Sequence, residues 1–502
     1  MTKDDFLKLL LMHEVIVFDA NETLVTSVTH SLNGITKDNI IPRSDMIEIY
    51  NQLRVKGKRV FILNKGNTKE LLDSLTINEA VYIDDVSQFK NCVVVSNSNK
   101  KGNLLVPSVI NLFSISRFSN KLKLYERTRD SLILGLVLNK CFYNSPFSIN
   151  NNGELAIRQP FEVGYGVFGP MLFDFIFFIN ELSSGYKELW FLSREGWLLK
   201  RLYEEFITIN AIEGKNIRYF LASRRATSFA AINNIDDIKE IMSQYYIGDL
   251  GNLTKSRLGI ELKGDTNSIQ VTLPRDIGKV MEVLKLYFDD ILLMATKERN
   301  SYLRYIAKIE DVEDIKNIED VEDIAVVDVG YMGTIQYYLT KILHKNIDGI
   351  YLSSHFNAKP LAQGAKCKSL EPVINLLDEQ TNRIFKNQLY LEAVLKAPYG
   401  QLIKFDDKCE PIFDGNDCIS DSTLSIQEGI ISYVRDYALL LKKFNLKHDL
   451  KSDISIRIFD TYINSGLIDK AVLKGLSIND DYCSNGELEL DIDTNKWRVN
   501  RS

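Results

Sequence analysis

Two segments far apart in this 502-residue chain each place an apolar run directly before a short turn of small and charged residues. The first is Leu189-Trp190-Phe191-Leu192-Ser193-Arg194-Glu195-Gly196-Trp197, and the second Ile324-Ala325-Val326-Val327-Asp328-Val329-Gly330-Tyr331-Met332-Gly333-Thr334. Helical periodicity resumes immediately after each, so both read as a buried strand, a sharp turn and a helix. Such units belong to an open α/β sheet of parallel strands, which binds ligands at the carboxyl ends of its strands. There, helix N-termini offer free backbone N–H groups to anions. Two such turns in one domain predict a ligand with two anionic ends.

A chain this long exceeds one ordinary core, so two or three domains are expected. A hydrophobic content of 45% with 25% charged residues is that of a globular protein. The net charge of −6, without a basic block, argues against nucleic acid as a partner. Six cysteines lack CxxC spacing and five histidines are dispersed, so neither a zinc site nor a disulfide framework is expected, and a reducing cytoplasm fits. Met1 to Glu14 has no signal-peptide layout. Val167 to Ile179, the most apolar stretch, contains Pro170 and Asp174 and falls short of the ~20 residues a membrane helix needs. It reads as a core helix starting near Pro170, approached through Gly164, Gly166 and Gly169, and no transmembrane segment is expected.

Residues 1–115 alternate short strands (Glu14–Phe18, Arg59–Leu63, Ala80–Ile83, Cys92–Ser96) with helical stretches (Asp45–Lys56, Thr68–Leu75), a small α/β domain. Residues 116–502 form the larger domain, opened by a helix over 118–140. It contains the two strand-turn-helix units, further strands at Ile217–Leu221 and Gly349–Ser353, a mainly helical region over 234–308, and a helical tail after 420. The tandem IEDVEDI repeat between Ile309 and Ile324, with eight acidic residues in sixteen, reads as a solvated surface insertion.

Val15-Ile16-Val17-Phe18-Asp19-Ala20-Asn21-Glu22-Thr23 resembles the first motif of the haloacid dehalogenase (HAD) superfamily, strand-Asp-x-Asp-x-Thr. The resemblance implies that Asp19 attacks phosphorus to form an aspartyl-phosphate, with Mg²⁺ held by Asp19, Asn21 and the acidic pair Asp84-Asp85. Asn64 stands where the superfamily ends a strand with Ser or Thr, and Lys69 is the nearest candidate for its lysine. Asn21 replaces the general acid/base and cannot exchange a proton in that role, so phosphatase activity is expected to be weak or absent.

Five further segments are similar to the second half of the dual-domain ribofuranosyltransferases of bacterial surface-polysaccharide assembly. They are Gly164–Pro170, Trp190–Gly196, Ala222–Ala226, Val327–Thr334, and Glu392 with Ala397–Gly400. In that family a HAD-type phosphoribosyl phosphatase is fused to a glycan phosphoribosyltransferase, and the likeness covers roughly residues 10–405. It implies transfer of ribose 5-phosphate from phosphoribosyl diphosphate to a glycan acceptor, free or lipid-linked, in the cytoplasm or at the inner face of the membrane.

The residues agree in kind. Gly330, Gly333 and Thr334 at a helix start suit a 5-phosphate, and Ser193, Arg194 and Gly196 suit a diphosphate. Arg224 and Arg225 would neutralise phosphate charge, while Asp328 would meet ribose hydroxyls or a magnesium ion. Substitution at the anomeric carbon calls for a base on the acceptor hydroxyl, and Glu195 and Asp328 are both candidates. Glu392 and His355 are bare additions to this list. Each residue also has a plain structural reading: Arg194–Glu195 a surface ion pair, Arg224–Arg225 a helix-start pair, Asp328 a strand-end cap. Two other functions remain in play, a HAD phosphatase with a large substrate-binding domain and a non-catalytic scaffold of a polysaccharide-assembly complex.

Overall fold

The computed structural model describes residues 3–21, 23–27, 40–66, 68–73, 75, 77, 80–89, 92–96, 103–105, 128–143, 156–214, 216–310, 323–415, 419–480, 486–491 and 496–499. They fall into two compact units, Met1–Leu172 with Glu428–Val472, and Phe173–Gln427 with Leu473–Ser502. The domain boundary expected near 115 and most of the acidic repeat lie outside the described residues. The protein is α/β, with parallel strands in both main sheets.

The first unit holds β1 (Val15–Phe18), β2 (Arg59–Leu63), β3 (Tyr82–Ile83), β4 (Val93–Ser96) and β5 (Asn103–Leu105), in the spatial order β3-β2-β1-β4-β5. All pairings are parallel, with Phe18 opposite Ile62 on one side and Val95 on the other. The unbroken apolar run of β1 is what a strand covered on both faces requires, and all four of its residues are buried. Helix Ser44–Val55 packs Met46, Ile49, Tyr50 and Leu53 inward at helical spacing, and Tyr50 meets Phe18 edge to face at 5.6 Å.

The helix expected to begin near Pro170 is helical from Pro160, with one widened turn over Gly164–Phe168. Pro160, not Pro170, takes the first-turn position where a missing N–H costs nothing, and the glycines lie within the helix. Pro160–Ser183 is long and apolar enough to cross a membrane, but 83% of its apolar window is buried, as in a core helix.

The second unit is built on β6 (Glu188–Leu192), β7 (Asn216–Phe220), β8 (Ile324–Asp328), β9 (Asp348–Tyr351) and β10 (Cys367–Ser369). Their spatial order is β10-β9-β8-β6-β7, again all parallel. The chain starts at β6, winds one way to β7, then crosses to β8 and winds the other way. The order therefore reverses between β6 and β8, where the two helices that follow these strands lead in opposite directions and open a crevice at the strand ends. Both turns singled out in the sequence follow these two strands. The region 234–308 is mainly helical, interrupted by an antiparallel ladder of Tyr246–Asp249 with Gln270–Leu273. The polar end of the chain also contains three antiparallel strands, Ser477–Asp480, Gly486–Asp491 and Lys496–Val499, which sequence periodicity did not reveal.

Candidate functional site

A cavity of about 400 Å³ opens at the strand ends between β6 and β8. Ser193, Arg194, Glu195 and Arg224 line it from one side, and Asp328 through Ile335 from the other. The turn after β6 is tight: Arg194 has φ 72, and its N–H donates to Tyr219 Oη at 3.1 Å. That left-handed conformation is disfavoured for a side-chain-bearing residue and is held here by its surroundings. Gly196 starts helix Gly196–Asn210 so close to the strand that an added Cβ would lie 2.7 Å from the Phe191 carbonyl carbon.

After β8, Gly330 at φ 145 presses against the Ser353 carbonyl oxygen, leaving no room for a Cβ. Gly333, at φ 63, caps helix Thr334–Leu343 beside the Pro360 ring, where a Cβ would come within 2.8 Å. Only glycine meets both demands without strain. The result is a helix N-terminus with uncommitted N–H groups at the cavity, which is the geometry of an anion site.

Two residues expected in the site are occupied elsewhere. The Ser193 hydroxyl donates to the Ala222 carbonyl and accepts from the Ala222 N–H at 3.0 Å, so it ties the end of β6 to the chain leaving β7. Arg225 points away from the cavity: it pairs with Glu298 through both guanidinium ends (3.1 Å for one) and donates to the carbonyls of Ile403 at 2.8 Å and Leu258 at 3.3 Å. Arg224, one residue earlier, is exposed and lines the cavity. The neighbouring arginines thus have separate roles, because successive residues at a helix start face about 100° apart. His355 is buried and held by Glu379 at 2.7 Å and by the Asn357 N–H at 3.1 Å, outside the cavity lining.

In the first unit, Asp19 stands at the tip of the central strand with Lys65 Nζ 3.1 Å from its carboxylate. The lysine beside Asp19 is therefore Lys65, two residues past the end of β2, while Lys69 is exposed on helix Thr68–Leu72. Asn64 donates to Asp84 at 2.9 Å. Asp85 caps the short 3₁₀ turn Val86–Gln88 through the N–H and hydroxyl of Ser87, and those hydrogen bonds hold its carboxyl below the usual range. Asn21 is exposed. Asp84 and Asp85 follow β3, and β2 lies between β3 and β1. β2 therefore stands between the strands that carry the acidic pair and Asp19, with Asn64 at its end reaching Asp84 and Lys65 reaching Asp19. Among the described residues, no three His, Cys, Asp or Glu side chains are grouped to hold a metal ion.

No protein-family model matches this chain, and no curated protein matches it.

The electrostatics of this cavity are those of a carboxylate group facing arginines. Burial pushes the Asp328 carboxyl well above its usual range, and the charges of Glu195 and Glu392 push it the same way. The Val329 N–H, donating to Asp328 Oδ1 at 2.8 Å, and the Arg224 guanidinium act in the opposite direction. Arg194 reaches Glu195 at 3.7 Å, so the ion pair anticipated on the surface stands in the cavity wall.

Sequence reasoning missed several cavity residues: Tyr331, Gln244, Phe385, Gln388 and Gln401. Among the described residues, Tyr331 Oη and Gln244 Nε2 are buried and have no hydrogen-bond partner. Both atoms line the cavity, where a bound molecule can complete their hydrogen bonds. A usable signal existed for Gln388 and Glu392. Helix Gln388–Leu395 buries Tyr390, Leu391, Ala393, Val394 and Leu395, leaving Gln388, Leu389 and Glu392 as its partly open face.

Proposed function

We propose that the second unit is a glycan phosphoribosyltransferase that moves ribose 5-phosphate from phosphoribosyl diphosphate to a sugar hydroxyl. One observation carries the reading: two strand-turn-helix turns, separated by more than a hundred residues of chain, line one cavity at the reversal point of a doubly wound sheet. The Gly330–Thr334 turn, with the N-terminus of helix Thr334–Leu343, suits the 5-phosphate. Arg194 and Arg224 suit the diphosphate, since guanidinium groups bind such oxygens with two N–H donors at once. The carboxylates of Glu195, Asp328 and Glu392 suit ribose hydroxyls and the acceptor proton.

The described residues make no closed magnesium cage, so no step is assigned to the metal. The donor's own diphosphate oxygens are its natural ligands, because Mg²⁺ prefers substrate phosphates and water to an all-protein site. A donor of this kind is an intracellular metabolite, which places the reaction in the cytoplasm, at the inner face of the membrane when the acceptor is lipid-linked.

For the first unit the reading is a HAD-like domain that handles phosphate weakly. Asp19 at the central strand tip with Lys65 beside it supports phosphate contact, while Asn21 in place of a general acid counts against efficient hydrolysis.

The deciding measurement is thermal stabilisation of the full chain by phosphoribosyl diphosphate with Mg²⁺. A ligand at a hundred times its dissociation constant adds about 2.7 kcal/mol. A melting temperature unmoved by millimolar donor, with ribose 5-phosphate and diphosphate equally inert, would rule the reading out.

A further inference from the structure

The cavity has two chemically different walls, and the donor accounts for only one of them. The wall formed by the two turns and Arg224 carries the guanidinium groups of Arg194 and Arg224 and the backbone N–H groups of the turns, beside Glu195 and Asp328. The other is formed by Phe385, Gln388, Leu389 and Glu392, with Tyr331 between the two. The Tyr331 ring meets Phe385 edge to face at 5.4 Å. Its hydroxyl is buried and unpartnered among the described residues. It lies within electrostatic reach of Glu392, Glu195 and Asp328.

Resting on the transferase reading, we propose that Tyr331, Phe385, Gln388 and Glu392 form the subsite for a neutral sugar acceptor, with Glu392 receiving the proton of the attacking hydroxyl. An aromatic face, an amide and a carboxylate are the groups that recognise a sugar ring: the apolar face covers Phe385, while the hydroxyls pair with Gln388 and Glu392. Gln388 and Glu392 are four residues apart on helix Gln388–Leu395 and so share one face, and the buried residues of that helix fix the face in place. The orphaned Tyr331 hydroxyl would gain its missing partner from an acceptor oxygen.

Charge sets the acceptor class. A phosphate or carboxylate on the reacting sugar would be brought against Glu392 with Glu195 nearby, and like charges in a partly desolvated site repel strongly. A neutral polyhydroxyl ring meets no such penalty.

The step balances without a further reactant. The acceptor oxygen forms a bond to the anomeric carbon as the bond from that carbon to diphosphate breaks. The electron pair of the broken bond leaves with the diphosphate, and the hydroxyl proton passes to the Glu392 carboxylate and then to solvent. Water entering the same subsite would hydrolyse the donor slowly by the same route.

The test uses the full chain with phosphoribosyl diphosphate and Mg²⁺. It reads diphosphate release in water alone, with aryl glycosides of neutral hexoses, and with aryl glycosides of hexuronic acids. Neutral glycosides are expected to accelerate release and uronic ones not to. Glu392→Gln should slow release by about 10²–10⁴-fold, in water and with glycosides alike, while stabilisation by the donor is unchanged. Phe385→Ala should raise the KM for the neutral glycoside with the donor stabilisation intact.

Undiminished release by Glu392→Gln overturns the proton role, and loss of donor stabilisation in that variant moves Glu392 to the donor side. With donor bound, failure of every neutral glycoside to accelerate release, or preference for the uronic ones, overturns the acceptor class. An unmodified protein that the donor does not stabilise defeats the transferase reading itself, a separate outcome.

Discussion

Replacing Arg225 by alanine should unfold the second unit early, while the same change at Arg224 should leave stability nearly untouched and weaken donor binding. Arg225 and Glu298 are 6% and 9% exposed, and the guanidinium also satisfies two backbone carbonyls and lies over the Phe229 ring at 4.7 Å. Truncating it leaves the Glu298 carboxylate buried without its cation, a loss of about 3–5 kcal/mol for such a broken pair. For a unit of this size, about 2 °C or slightly less per kcal/mol translates that into a melting temperature lower by roughly 6–10 °C.

Arg224 is exposed, and a surface substitution typically stays within about 0.5 kcal/mol. Its loss removes a charged hydrogen-bond donor from the diphosphate, about 1.5–3 kcal/mol, which is roughly a ten- to hundredfold weaker donor dissociation constant. Melts with and without phosphoribosyl diphosphate and Mg²⁺ read both effects. The double variant Arg225→Met/Glu298→Leu should recover most of the lost stability, since apolar replacement of a buried pair is often neutral. The reasoning fails if Arg225→Ala melts within 2 °C of the unmodified protein, or if Arg224→Ala unfolds as early as Arg225→Ala.

Three further outcomes are expected. Gly333→Val should abolish donor-induced stabilisation while the fold survives at a cost of about 1–3 kcal/mol for a left-handed φ, and full stabilisation in calorimetry would remove that turn from the donor site. Asp328→Asn should raise stability by about 0.5–2 kcal/mol near neutral pH and abolish transfer. Because the folded Asp328 carboxyl titrates above its unfolded value of 3.8, the fold loses stability as pH rises through the folded value. The gain from Asn should therefore shrink on acidification and vanish below pH 3.8; a gain independent of pH would contradict this. Asn21→Asp should raise phosphate release from a phosphoribosylated glycan, and Lys65→Ala should lower it. Brisk hydrolysis by the unmodified protein, lost in Asp19→Asn, would show the first unit to be an efficient phosphatase.

Local pattern was enough to find both turns of the cavity in the second unit, because a buried strand followed by glycines and a helix is written within about fifteen residues. Partners were not legible in the same way. Ser193 is bound by Ala222, and Arg225 by Glu298 and Ile403, contacts that span 29, 73 and 178 residues of sequence. No pattern at the arginine pair tells which member turns inward, since the answer depends on what packs against the helix. The same holds for Lys65 and Lys69, two lysines four residues apart of which only one stands beside Asp19.

Strand order is the deeper limit. Glu195 follows β6 and Asp328 ends β8, and these strands are hydrogen-bonded neighbours, so the two carboxylates fall within electrostatic reach of each other. Asp19 and Asp84 carry the same local signal, an acidic residue at the end of an apolar strand, yet β2 separates their strands. Sequence reveals that a residue ends a strand. Whether two such residues meet is decided by the crossover connections, through the packing of helices on the sheet faces. The same signal therefore fell on neighbouring strands in one sheet and on strands with another between them in the other.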